Sequence, residues 1–138
     1  MANDVTELSS ILERARDYPY WAPKRSYTWD TRAEVDNVRP FDPNLVQHCW
    51  PVLAVGSNRS PQQLSRKFKE FDAGPIAVQY GRIADFDVVY AAHISAYGAV
   101  PAMLQRAPGV QAKIAITWLS DEQLDIMHHT EGNYHFGE

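Results

Sequence analysis

The sequence predicts an α+β fold: a small mixed, curved β-sheet or barrel flanked by helices, preceded by an N-terminal helical and aromatic extension. Three observations predict it. Strand-type apolar runs outnumber helical periodicities beyond residue 45. Those runs do not alternate with helices in the regular βαβ order of a parallel sheet. The chain has 138 residues, 45% of them hydrophobic, which is material for one domain with a real core. No internal repeat or low-complexity tract appears.

Residues 1–44 read as the extension. Asp4 and Glu7 form a capping pair, and Val5, Leu8, Ile11, Leu12 and Ala15 recur at helical spacing, predicting a helix from Val5 to Arg16 with one apolar stripe. From Tyr18 to Trp29 the chain turns aromatic and irregular: Tyr18, Tyr20, Trp21, Tyr27 and Trp29, broken by Pro19 and Pro23. The prolines argue against a regular helix or a central strand. The segment reads as an arm laid over the body with Trp21 and Trp29 buried; a partner-binding strip is the alternative. Asp30 to Asn44, with Pro40 and Pro43, reads as a connection.

The body, residues 45–138, is expected to hold strands at Val52–Val55, Ile76–Gln79, Ile83–Ala92, Ala102–Gln105 and Ala112–Leu119. Helices are expected at Pro61–Glu70 and Asp121–Thr130. Both helix starts carry the same signature. Ser60 stands three residues before Gln63 with Pro61 at the first helical position, and Ser120 stands three residues before Gln123. Between the first strand and its helix lies Gly56-Ser57-Asn58. This turn can leave N–H groups directed outward at the positive end of a helix dipole, an arrangement suited to a carboxylate or a developing oxyanion.

Composition excludes several classes. A net charge of −4 gives no basic footing for nucleic acid and no attraction to anionic lipid. Cys49 is the only cysteine, which leaves no intramolecular disulfide and no cysteine metal cluster; between His48 and Trp50 it reads as an inert thiol. No apolar run approaches the ~20 residues that cross a bilayer. The N-terminus lacks the basic leader and apolar core of a signal peptide, so Asn58-Arg59-Ser60 has no meaning as a glycosylation sequon and a cytoplasmic protein is expected. His128, His129, Glu131 and His135 crowd together, but their spacing matches no closed metal motif, and the adjacent histidines point to different faces. No metal and no cofactor are expected. Ser57 lacks the Gly-x-Ser-x-Gly elbow of a serine nucleophile. Arg59, Arg66, Lys67 and Lys69 read as a solvated basic face of the first body helix.

The order of Gly56-Ser57-Asn58, a strand over Gly81 to Tyr90, Pro101-Ala102-Met103-Leu104-Gln105, Pro108-Gly109, the capped helix and Glu131-Gly132 resembles the gamma-glutamylcyclotransferase-like family from about Pro51 to Gly132. Members carry a Tyr-Gly-Ser-Asn loop early and a Glu-Gly after a late helix. Val55 stands where the family usually has an aromatic residue. The resemblance implies a curved sheet or small barrel with further strands after the acidic residue, so the domain is expected to be shortened at its C-terminus. The edge this leaves is expected to be covered by the N-terminal extension or by a second copy of the chain in a homodimer.

The resemblance also implies a reaction. A γ-glutamyl amide or peptide closes on itself to 5-oxoproline and releases an amine. Such an enzyme must hold the α-carboxylate, take a proton from the α-ammonium and stabilise the oxyanion; ring closure supplies proximity, so no protein nucleophile is required. Glu131 is then the general base, with partial burial and the helix C-terminus raising its pKa toward neutrality. Val55, Gly56, Ser57, Asn58, Gly132 and Tyr134 contact the substrate. The alternative is a non-catalytic relative that binds a small ligand or a protein through the same pocket.

Overall fold

The computed structural model describes the backbone of residues 2–95 and 98–130 and, from residue 6 onward, their side chains. Helix α1 (Ala2–Asp17) opens the chain. Strands β1 (Tyr27–Trp29) and β2 (Val38–Pro40) follow, then β3 (Trp50–Ala54), helix α2 (Pro61–Phe68), the long strands β4 (Ile76–Tyr90) and β5 (Ala102–Leu119), and helix α3 (Asp121–Thr130). The five strands form one sheet in the order β2-β1-β4-β5-β3, and every pairing is antiparallel. The fold is α+β as expected, with an open, curled antiparallel sheet in place of a mixed sheet or a barrel.

Two expected pairs of strands are single strands. Ile76–Gln79 and Ile83–Ala92 merge into β4, because Gly81 keeps its place in the ladder opposite Ile114. Ala102–Gln105 and Ala112–Leu119 merge into β5. The Pro108-Gly109 turn between them is a bulge and not a reversal. Pairing jumps from Ala84–Gln111 to Phe86–Arg106, so one residue on β4 faces four on β5. The bulge is pinned where Gly109 N–H donates to Asp85 Oδ1 at 2.9 Å, with both residues in the left-handed region (φ +80° and +63°).

The aromatic arm is also corrected. Tyr27-Thr28-Trp29 is no surface covering; it is strand β1, inserted between β2 and β4 and wholly buried. Residues 1–44 thus supply two of the five strands. The prolines that argued against a central strand lie upstream of it. Pro40 ends β2, an edge strand, where a missing N–H costs little. Trp29 is 2% exposed, as expected, whereas Trp21 is 62% exposed. Beyond β1 the chain turns at Asp30, whose buried carboxylate accepts from the Arg32 N–H and from the Arg32 and Arg39 guanidinium groups. Burial pushes that carboxyl up, and those hydrogen bonds outweigh it, holding it below the ordinary carboxylate range.

The core lies between one face of the sheet and the helices α2 and α3. Tyr27, Trp29, Ile76, Val78, Ala115 and Leu119 come from strands, and Leu64, Phe68 and Met127 from the helices. Helix α3 occupies its expected range. Its capping box is closed: Ser120 N–H donates to Gln123 Oε1 (2.9 Å) and Gln123 N–H to Ser120 Oγ (3.3 Å). The buried Gln123 amide also donates to the carbonyls of Ala73, Gly74 and Pro75, clamping the chain that enters β4. Lys67, in the last turn of α2, lies 3.5 Å from Met127 Sδ. These contacts hold α3 against the last turn of α2 and the chain that follows it.

Helix α1 joins the body near its C-terminal end, where Arg14 Nε donates to Tyr20 Oη and Ala15 faces Gly98. Leu8, Ile11 and Leu12 of its stripe are exposed; the side chain of Val5 lies outside the described residues. Among the described residues no helix is long and apolar enough to cross a membrane.

Candidate active site

The Gly56–Asn58 turn sits where the sequence puts it, between the end of β3 and the start of α2. Ser57–Arg59 make a 3-10 turn, and its closing bond, Ser60 N–H to Ser57 O at 2.9 Å, leads into α2. The turn thus lies directly before a helix N-terminus, where the first N–H groups have no intrahelical acceptors. Ser57 is buried, and Val55, Gly56 and Asn58 are half-buried. From below, Tyr27 Oη donates to Arg59 O at 2.6 Å, fixing the end of the turn to β1. Burial, with a smaller push from Tyr80, holds the Tyr27 phenol far above its ordinary pKa, so it remains a donor.

Two distant segments wall the turn. Ala115 pairs with Ala54, and a straight strand from Ala115 to Ala102 would reach ~40 Å away. Instead the ribbon curls at the bulge, and Ala102 Cβ comes within ordinary contact distance of the Gly56 side-chain position. The other wall is Tyr18. Its hydroxyl accepts from Ala102 N–H at 2.8 Å and rests so close to Gly56 that a Cβ there would clash with Oη. Glycine is therefore required at 56 by close approach, and not by a left-handed backbone, since its φ is −116°.

The expected capping box at Ser60 does not form, since the Ser60 side chain caps nothing and its buried Oγ has no hydrogen-bond partner among the described residues. The expected basic face divides. Arg66 lies over the Tyr20 ring at 4.7 Å and Lys69 is exposed, but Arg59 is half-buried, and its Nε is buried without a hydrogen-bond partner among the described residues. Arg59 also opposes the upward shift that burial gives the Tyr80 phenol, placing its charge near that ring. Sequence reasoning missed Tyr18 and Arg59 as site residues. The signal for Arg59 was its place directly after Asn58; nothing local marks Tyr18.

Glu131, Gly132 and Tyr134 lie outside the described residues, as do Glu131 and His135 of the histidine-rich cluster. Within that cluster, His129 Nδ1 is 2.7 Å from Asp125 O, one helical turn back. Among the described residues no three of His, Cys, Asp and Glu come together as a metal site. Cys49 is half-buried; burial, then the Asp121 carboxylate, raises its thiol pKa and disfavours the reactive thiolate. Comparison with protein-family models, with curated proteins and with solved structures finds no match.

Proposed function

We propose that this protein is a cytoplasmic gamma-glutamylcyclotransferase-like enzyme that converts a γ-glutamyl amide or peptide to 5-oxoproline and a free amine, with Glu131 as general base. The observation that carries the reading is the walled turn. Gly56-Ser57-Asn58 lies directly before the start of α2, packed against Ala102 and Tyr18. Helix α3 ends at Thr130, directly before Glu131. Arg59 adds a half-buried positive charge to the same turn, which favours an anionic substrate.

In this reading the turn N–H groups hold the α-carboxylate or the carbonyl oxygen, and Glu131 takes a proton from the α-ammonium. The freed amine attacks the γ-carbonyl carbon, forming the ring C–N bond. The scissile C–N bond breaks as the proton passes to the departing amine. Substrate is a small molecule; an acidic chain offers no footing for nucleic acid.

The test is release of 5-oxoproline from γ-glutamyl dipeptides. Glu131→Gln is expected to stay folded and lose ~10²–10⁴-fold in turnover. Turnover within a factor of ~3 of wild type would remove Glu131 from the mechanism. The second reading, a non-catalytic binder, is favoured by the Tyr18 hydroxyl, which occupies the Gly56 face. Saturable binding of a γ-glutamyl dipeptide with no 5-oxoproline formed would establish it.

A further inference from the structure

Trp21 has no role in the turn at Gly56 and none in the core, yet it presents most of a large apolar ring to water. It forms one wall of an open cleft of about 540 Å³. Asp36 and Asn37 at the tip of the β1–β2 connection and Pro61, Gln62 and Ser65 of α2 complete the lining. That volume is in the range of small-molecule sites.

The cleft wall is fixed from behind. Ser65 Oγ accepts from Trp29 Nε1 at 3.0 Å and from Asn37 Nδ2 at 3.1 Å, which ties the hairpin tip to α2 and to the core. Asp36 and Asn37 occupy the two central positions of a tight turn closed by Val38 N–H to Val35 O at 2.9 Å, both in the left-handed region (φ +51° and +58°). Among the described residues Asp36 is the only charged one lining the cleft. An indole and a carboxylate, with no cation among the described lining residues, select a positively charged organic group. The ring quadrupole attracts the cation, and the carboxylate neutralises it.

We propose that this cleft binds a small organic ammonium between the Trp21 ring and the Asp36 carboxylate. The site is lined by none of Gly56, Ser57 and Asn58 and does not depend on the activity proposed for that turn.

Choline and its uncharged isostere 3,3-dimethylbutan-1-ol are the probes, titrated into the full chain while the tryptophan indole N–H resonances are followed by NMR. The Trp21 resonance is assigned by its loss in Trp21→Phe. Choline is expected to shift it saturably, and the neutral alcohol to leave it in place at the same concentration. Asp36→Asn is expected to weaken choline binding about tenfold or more. Asparagine accepts the left-handed backbone at least as well as aspartate, so this variant keeps the turn. Trp50 is the internal control, exposed at 57% with its Nε1 donating to Asp121 Oδ1 at 2.8 Å, so it too pairs an indole with a carboxylate. Equal response to the alcohol, equal response at Trp50, unchanged affinity in Asp36→Asn, or no shift at all would each overturn the proposal.

Discussion

At the start of α3, Ser120 and Gln123 close on each other, and the glutamine amide goes on to hold three carbonyls of the chain entering β4. At the start of α2, Ser60 and Gln63 stand at the same spacing and remain apart. The difference lies in what precedes each serine. Ser120 follows the last residue of β5, and its N–H has the glutamine as acceptor. The Ser60 N–H is already given to Ser57 O by the 3-10 turn, so Gln63 has nothing to reach back for, and its Oε1 takes the Arg66 guanidinium at 3.3 Å instead. A capping signature is thus a contest for one N–H, and the turn beside the proposed active site wins it at α2.

The largest effect expected from this comparison is at Gln123. Gln123→Ala removes the cap acceptor and leaves buried carbonyls without their donor, which should cost about 2–4 kcal/mol in urea unfolding. Gln63→Ala should cost less than about 1 kcal/mol. Equal losses would show that the two boxes are alike after all.

Next comes the turn that disarms the α2 cap. Gly56→Ala drives a methyl into Tyr18 Oη and should cost about 1–3 kcal/mol. Since the obstructing atom is the hydroxyl, Tyr18→Phe should recover at least half of that loss in a double-mutant cycle. Additive losses would mean that the ring, and not its oxygen, demands glycine. The smallest difference is at the serines. Ser120→Ala should lose about 1 kcal/mol, as ordinary N-caps do. Ser60→Ala should stay within about 0.5 kcal/mol of wild type, because its hydroxyl caps nothing. A matching loss at Ser60 would mean that its box forms in solution.

What was legible in the sequence was local. Helix α3 occupies the expected range because its cap, its periodicity and its acidic first turn agree. The turn at Gly56–Asn58 was legible for the same reason, as an apolar strand meeting a helix start. What was not legible depended on partners remote in the chain. Three residues, Tyr27-Thr28-Trp29, are too short a strand to announce themselves, and only pairing with Ile76–Val78 on one side and Val38–Pro40 on the other makes them β1. Gly81 and Pro108-Gly109 read as interruptions because a strand of ordinary length would have ended there; the continuous ladder between β4 and β5 overrides both. Tyr18 reaches the turn only because the ribbon curls and brings Ala102 beneath its hydroxyl. Trp21 carries the same aromatic signal as Trp29, and the sequence offers no way to tell the exposed ring from the buried one.

The insertion of β1 has a consequence for how the chain is made. Synthesis delivers Tyr27 and Trp29 early, and the strand they must pair with, at Ile76–Val78, much later. In the interval two of the largest core side chains belong to a segment with only the short β2 hairpin to shelter it. Long-range pairing of this kind is slow to form and leaves apolar surface open while it waits. Nor can the nascent chain build its sheet outward from the N-terminus. Strand β1 must wait for the start of β4, and β3 must wait longer still, for the end of β5.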